Sequence, residues 1–275
     1  MSVTAFSPGY ISCIFQPHWD EDPLRTGSRG LGFCIDRGAI AKVEDAKWLS
    51  VTVNEEEAPV TRRAIEIIGV DDVEVSIKTQ LPISQGFAMS AAGTLAACIA
   101  VCRLRNIPIE RGYRAAHIAE VSEGGGMGDV AGIITGGASL RTKAGLPPWG
   151  KVQKSELEGE ILLAVVDDPL PTKTVIRDDE AVRQISAAAE RALGSLSLPL
   201  TWESVLKRSR DFAEEAGVMS LPVRKALELL SEHGEGSMCM LGNSIFLRGA
   251  IEHASERWPG KSWICAVDKR GPRFL

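Results

Sequence analysis

Residues 82–93 read Pro82-Ile83-Ser84-Gln85-Gly86-Phe87-Ala88-Met89-Ser90-Ala91-Ala92-Gly93, and the fold turns on how this run is interpreted. It follows VEVSIKTQL at 73–81, a strand-like segment, and runs into the apolar TLAACIAVC at 94–102. Large side chains at such a junction would pack better; small ones let a ligand approach the backbone. The start of a helix leaves N–H groups without intrahelical partners and carries partial positive charge. Phosphate is the usual guest of such an end. Ser90 sits where loop becomes helix, so its hydroxyl can reach a phosphate or a metal bound to one. The alternative is a Ser90 that caps the helix while the small residues pack against a neighbour.

The bounds set by composition are those of an ordinary globular chain. Its 275 residues suffice for one large domain or two lobes sharing a core, and 44% hydrophobic with 24% charged residues excludes disorder. A net charge of −5, with no basic run or aromatic-interleaved patch, argues against nucleic acid. The first residues, MSVTAFSPGY, lack the regions of a signal peptide, and runs such as LAACIAVC are too short to cross a membrane. A cytoplasmic protein is expected. Cys13, Cys34, Cys98, Cys102, Cys239 and Cys265 have apolar contexts and no C-x-x-C spacing, so they read as core thiols, not as a zinc site or disulfide framework.

Short strands are expected at YISCIF, LGFCI, WLSVTV and VEVSIKT in the first half, with helices around 59–68, 90–104 and 112–122. The glycine and prolines of GLPPWG at 145–150 mark a lobe boundary, dividing the chain into 1–150 and 151–275. Beyond it come the strand ILLAVV, helices at 179–194, 202–216 and 222–232, then strands MCML, SIFLR and SWICAV. An α+β protein of two lobes is expected.

Two further stretches carry chemistry. HIAEVSEGGGMGDVAGIITGG at 117–137 places His117 and Glu120 on one helix face, then three glycines, then Asp129. Glycine after a helix is ordinary capping; three in succession before an aspartate suit a loop that brings the carboxylate to a ligand. The alternative is an Asp129 that only caps the next segment. DPLRTGSRGLGF at 22–33 sets Arg25, Ser28 and Arg29 among glycines, either a loop presenting donors to a small anion or a solvated hairpin. No G-x-G-x-x-G, G-x-x-x-x-G-K-[ST] or G-x-S-x-G occurs, which disfavours a dinucleotide fold, a Walker-type loop and an α/β-hydrolase.

Together these stretches resemble the GHMP kinases. PISQGFAMSAA is similar to their P-x-x-x-G-L-G-S-S-A-A phosphate loop, FSPGYIS at 6–12 to their A-P-G motif, and EVSEGGGMGD to the segment lining the site with a helix glutamate and a glycine-flanked aspartate. Adding MLGNSIF at 240–246, the resemblance is closest to the archaeal branch that acts on pantoate. It implies a GHMP kinase fold, with an N-terminal lobe like the second domain of ribosomal protein S5 and a ferredoxin-like C-terminal lobe. It implies ATP and Mg²⁺ as cofactors, with Gly86, Phe87, Ala88, Met89, Ser90 and Ala91 cradling the phosphates, Ser90 and Glu120 holding the metal, and Asp129 as catalytic base or orienter. The implied reaction phosphorylates the 4-hydroxyl of pantoate for coenzyme A synthesis, by a homodimer.

Pantoate calls for a cation, hydrogen-bonding partners and an apolar wall. Arg141, in GGASLRTKAG, is the first candidate for its carboxylate because a guanidinium pairs bidentately. His117 and Ser28 follow, then Arg25 and Arg29. Some residues depart from the general family pattern: Ala88 replaces a glycine, Met89 replaces the first serine, and Tyr10 stands where mevalonate kinases have a lysine. Other acceptors of the superfamily (homoserine, shikimate, mevalonate) and a non-catalytic sensor on the same scaffold are the alternatives.

Overall fold

The computed structural model describes residues 1–169 and 178–275. Its backbone is organised by a hairpin of two long strands, β1 (Ser2–His18) and β2 (Gly27–Asp45), paired antiparallel along their whole length. The short strands expected at YISCIF and LGFCI are only the centres of these. Ser7 lies outside the expected strand and Ser12 within it, and both are buried, because both faces of β1 are covered. Register shifts fall at Pro8/Gly9 and at Ser12/Ile14, and such bulges re-aim the side chains next to them.

The first sheet has eight strands. β5 (Val73–Thr79), β3 (Ser50–Val53) and β4 (Glu56–Glu57) extend it beyond β2, while β6 (Ala138–Lys143) pairs with β2 and carries β7 (Lys151–Ser155). The C-terminal β12 (Arg273–Phe274) returns to pair with β1. On this sheet lie α1 (Pro59–Ile68), α2 (Met89–Leu104), α3 (Ile109–Ser122) and α4 (Asp129–Thr135). Helix α2 is apolar all round because it is enclosed all round, by the sheet on one side and by α1 and α3 on the other. Between Met89 and Cys102 only Ser90 is exposed.

The second sheet runs β11 (Ser262–Ala266), β8 (Glu160–Val165), β10 (Ser244–Gly249), β9 (Gly234–Met238), all antiparallel. Numbered in chain order this is 4-1-3-2, the split βαβ arrangement of ferredoxin-like folds. Helices α5 (Asp179–Gly194), α6 (Trp202–Glu215) and α7 (Leu221–Leu229) fill the first crossover, and α8 (Ile251–Arg257) the second. The helix expected over 222–232 therefore stops earlier, and the strand expected at MCML is displaced: β9 ends at Met238, and the chain then turns away from the sheet. Phe33 of β2 joins the two sheets, edge-on to Phe246 at 5.5 Å and to Trp202 at 5.2 Å. All six cysteines are buried free thiols.

Leu95 is wholly enclosed in α2. Leu95→Ala is expected to lower unfolding free energy by about 2–5 kcal/mol, read from urea denaturation; a change near zero would contradict α2 as the core element.

Candidate active site

Helix α2 begins at Met89, with Ala88 as its N-cap residue in the left-handed region (φ 53°) and no capping side chain. The first backbone bond onto the helix runs from Ala92 N to Ala88 O at 2.9 Å, so the amides of Met89, Ser90 and Ala91 precede the ladder. Ser90 is therefore not the cap. Its hydroxyl donates instead to Glu120 Oε1 on α3 at 2.7 Å. The loop before the helix is held from behind: Gln85 Nε2 donates to Asp167 O at 2.9 Å, Ser244 Oγ donates to Gln85 O, and Tyr10 N donates to Phe87 O at 3.1 Å. A side chain at Gly86 would strike the backbone of Cys239 just after β9.

The uncapped end faces a cavity of about 420 Å³. Gly86, Ala88, Met89, Ser90 and Ala91 line it on one side; Glu120, the 123–128 segment and Asp129 line it on the other, with Ser12, Ser28 and Met240 completing the wall. Phe87 does not line it. Its side chain is buried and packs edge-on against Trp263, 6.3 Å between ring centres.

The glycine loop is tight where the sequence suggested flexibility. A Cβ at Gly125 would overlap Glu120 Oε2, and one at Gly126 would overlap Asp129 Oδ2. Glycine is required because the backbone wraps both carboxylates. Burial lifts Glu120 to about 7, helped by the Asp129 charge and opposed by the Ser90 hydrogen bond. Burial also lifts Asp129 to about 6, against the pull of Arg141 and a 3.5 Å hydrogen bond from Ser12 Oγ. Ser12 owes its position to the β1 bulge beside it, and sequence reading did not single it out.

Among the described residues no group of three or more His, Cys, Asp or Glu gathers into a protein-only metal cage. Mg²⁺ does not need one; it is held through one or two carboxylates, with waters and phosphate oxygens filling the other positions. Ser90 and Glu120, joined at 2.7 Å on the cavity wall, fit that donor set.

The remaining expected site residues divide. Ser28 lines the cavity. His117 does not: it is buried, and its Nε2 donates to Thr26 O at 2.9 Å and Pro23 O at 3.1 Å, tying α3 to the β1–β2 turn. Arg25 and Arg29 line a separate cavity with Lys143 and Trp149, and Arg29 pairs with Glu190 at 2.9 Å. Successive strand residues face opposite ways, so Ser28 and Arg29 cannot serve one site. Arg141 is 1% exposed and lies behind Gly128, outside the cavity lining.

Helix-end amides facing a metal-ready serine and two desolvated carboxylates suit phosphoryl transfer, which asks a protein mainly for positioning and charge stabilisation. The GHMP kinases N terminal domain family matches residues 58–137. A pantoate kinase of Thermococcus kodakarensis is 30% identical, over 93% of this chain and 90% of that one. A pantoate kinase of Methanospirillum hungatei is 28% identical, over 99% and 96%. A solved structure described as a phosphotransferase related to the CoA biosynthesis pathway covers 100% of this chain and 99% of its own, with a TM-score of 0.88 at 26% identity. A homoserine kinase from Cytophaga hutchinsonii (TM-score 0.71, 16% identity, 100% and 97% covered) shares the fold. The chain is an ATP-dependent kinase of the GHMP superfamily and belongs within it to the pantoate kinase family.

A carboxyl raised in the fold stabilises it fully below its unfolded value of about 4 and loses that contribution as pH rises through the raised value. For Asp129 and Glu120 the loss spans the interval up to about 6 and about 7. Without metal, Glu120→Gln is therefore expected to gain melting temperature relative to wild type as pH rises from about 5 to about 8. Parallel wild-type and variant curves would contradict the desolvated carboxylate.

Proposed function

We propose that this chain transfers the γ-phosphoryl group of ATP to the 4-hydroxyl of pantoate, giving 4-phosphopantoate and ADP, in the synthesis of coenzyme A. The observation that carries the reading is the pairing across one cavity of the uncapped α2 terminus with Glu120 and Asp129. The relatives named pantoate kinase supply the acceptor.

The amides of Met89, Ser90 and Ala91 receive phosphate oxygens at the positive end of α2. Ser90 and Glu120 would hold Mg²⁺, which would offset the charge of the phosphate oxygens. Burial raises Glu120 to about 7, so it would lose a proton on taking up the metal, and its affinity for the metal would rise with pH. Asp129, raised to about 6, is ionised at neutral pH and basic enough to accept the proton of the acceptor hydroxyl as its oxygen bonds to phosphorus and the bond to ADP breaks. Ser12 orients that carboxylate through its hydroxyl. Ser28 stands on the same wall, within the volume the acceptor would occupy.

Arg141 supplies the cation for the acceptor carboxylate. Its Nε and Cζ lie against Gly128, which lines the cavity. His117 serves the site indirectly, fixing the turn that leads into Ser28. The division of the chain at 145–150 into a phosphate-loop lobe and a C-terminal lobe, with β7 and β12 returning to the first sheet, a cytoplasmic setting and a homodimer belong to the same proposal.

The test offers pantoate, homoserine, shikimate and mevalonate separately with ATP and Mg²⁺. Turnover confined to pantoate is expected, and Asp129→Asn is expected to lower kcat by about 10²–10⁴-fold. Turnover on another acceptor would overturn the substrate reading; near-normal kcat in the variant would overturn the base role.

A further inference from the structure

Arg141 is the largest side chain among the fully buried ones, and no carboxylate lies within ion-pair distance of it among the described residues. Its guanidinium is fixed at two nitrogens. Nε donates to Ser28 O at 3.3 Å, and Nη1 donates to the Tyr10 hydroxyl. The third nitrogen, Nη2, is buried without a partner. A buried cation with an unmet donor edge is costly unless something completes it. The acceptor carboxylate would do so.

Tyr10 holds the other edge. Its hydroxyl accepts from Arg141 and shares a second hydrogen bond with Ser139 Oγ at 2.7 Å. The guanidinium also lies over the Tyr10 ring, 5.5 Å from its centre. Space is reserved for this pair. A Cβ at Gly132 would meet Tyr10 Cε2 at 2.5 Å, and one at Gly128 would meet Arg141 Nε at 2.6 Å and Cζ at 2.8 Å. Tyr10 does not line the cavity, and its hydroxyl bonds to Arg141 and Ser139.

We propose that Tyr10, braced by Ser139, is a positioning residue for acceptor recognition: it occupies Nη1 so that the rest of the guanidinium stays turned to the acceptor carboxylate. This rests on the pantoate reading above and adds the device that sets the orientation of its cation. Without the Tyr10 hydroxyl, Nη1 must find another acceptor and the guanidinium turns with it.

The test compares pantoate with its uncharged carboxamide analogue, each with ATP, for wild type and Tyr10→Phe. Tyr10→Phe is expected to raise the pantoate KM roughly tenfold, the scale of about one charge-assisted hydrogen bond. The KM for ATP and the kcat/KM for the carboxamide are expected to hold, so the preference for pantoate over the carboxamide narrows by the same factor. Equal losses on both acceptors, or an unchanged ratio, would overturn the inference while leaving pantoate as substrate. If wild type does not phosphorylate pantoate, the substrate reading fails and takes this inference with it. Should Tyr10→Phe not fold, Ser139→Ala removes the brace and is expected to narrow the same ratio; no narrowing overturns the proposal.

Discussion

The hydrogen bond from Ser90 to Glu120, 2.7 Å long, ties the start of α2 to α3, and the chemistry of the cavity depends on it. It joins the one exposed position in an otherwise enclosed stretch of helix to a buried carboxylate. With Ser90 drawn to Glu120, no side chain caps α2, and its leading amides stay open toward the cavity. With Glu120 held, the 125–126 backbone packs against both acids. Desolvation then raises both carboxyls, leaving one suited to exchange its proton for a metal and the other suited to accept a proton near neutral pH. The cost of gathering these groups is met by the surrounding core, in which α2 is enclosed between the hairpin sheet and its neighbouring helices.

Much of this was legible in the sequence where local rules suffice. The small residues of PISQGFAMSAAG, set between an alternating strand and an apolar helix, marked the start of α2, and Ser90, Glu120 and Asp129 share one cavity. The helices at 59–68 and 179–194 fall where periodicity put them. The long strands were harder to see. The sequence reading placed a strand only at YISCIF, whereas β1 also takes in Pro8 and Gly9, which are buried at a bulge. Ser12 sat within the predicted strand, and its contact with Asp129, 117 residues away, is visible only in the fold.

The acceptor side was the least legible, because it depends on which way strand residues face and what covers them. DPLRTGSRG suggests one basic loop, but the hairpin sends Ser28 to the cavity while Arg29 lines another one with Arg25. His117 shares a helix face with Glu120 but is spent on two backbone carbonyls. Arg141 was singled out for its charge. Its burial, its unmet Nη2 and its bond to Tyr10 belong to tertiary structure alone. Tyr10 illustrates the point: its neighbours Ser139 and Arg141 are 129 and 131 residues away in the chain.

The most direct measurement of the central claim is proton-coupled ³¹P NMR of the product formed from pantoate, ATP and Mg²⁺ by the purified protein. If Asp129 meets the terminal hydroxyl while the carboxylate is drawn toward Arg141, the new phosphomonoester is attached at C4. Its phosphorus then couples to the methylene pair there and appears as a triplet, with ADP accumulating in step. A doublet, from coupling to the lone proton on C2, would mean that the acceptor lies the other way round and would contradict the arrangement described here.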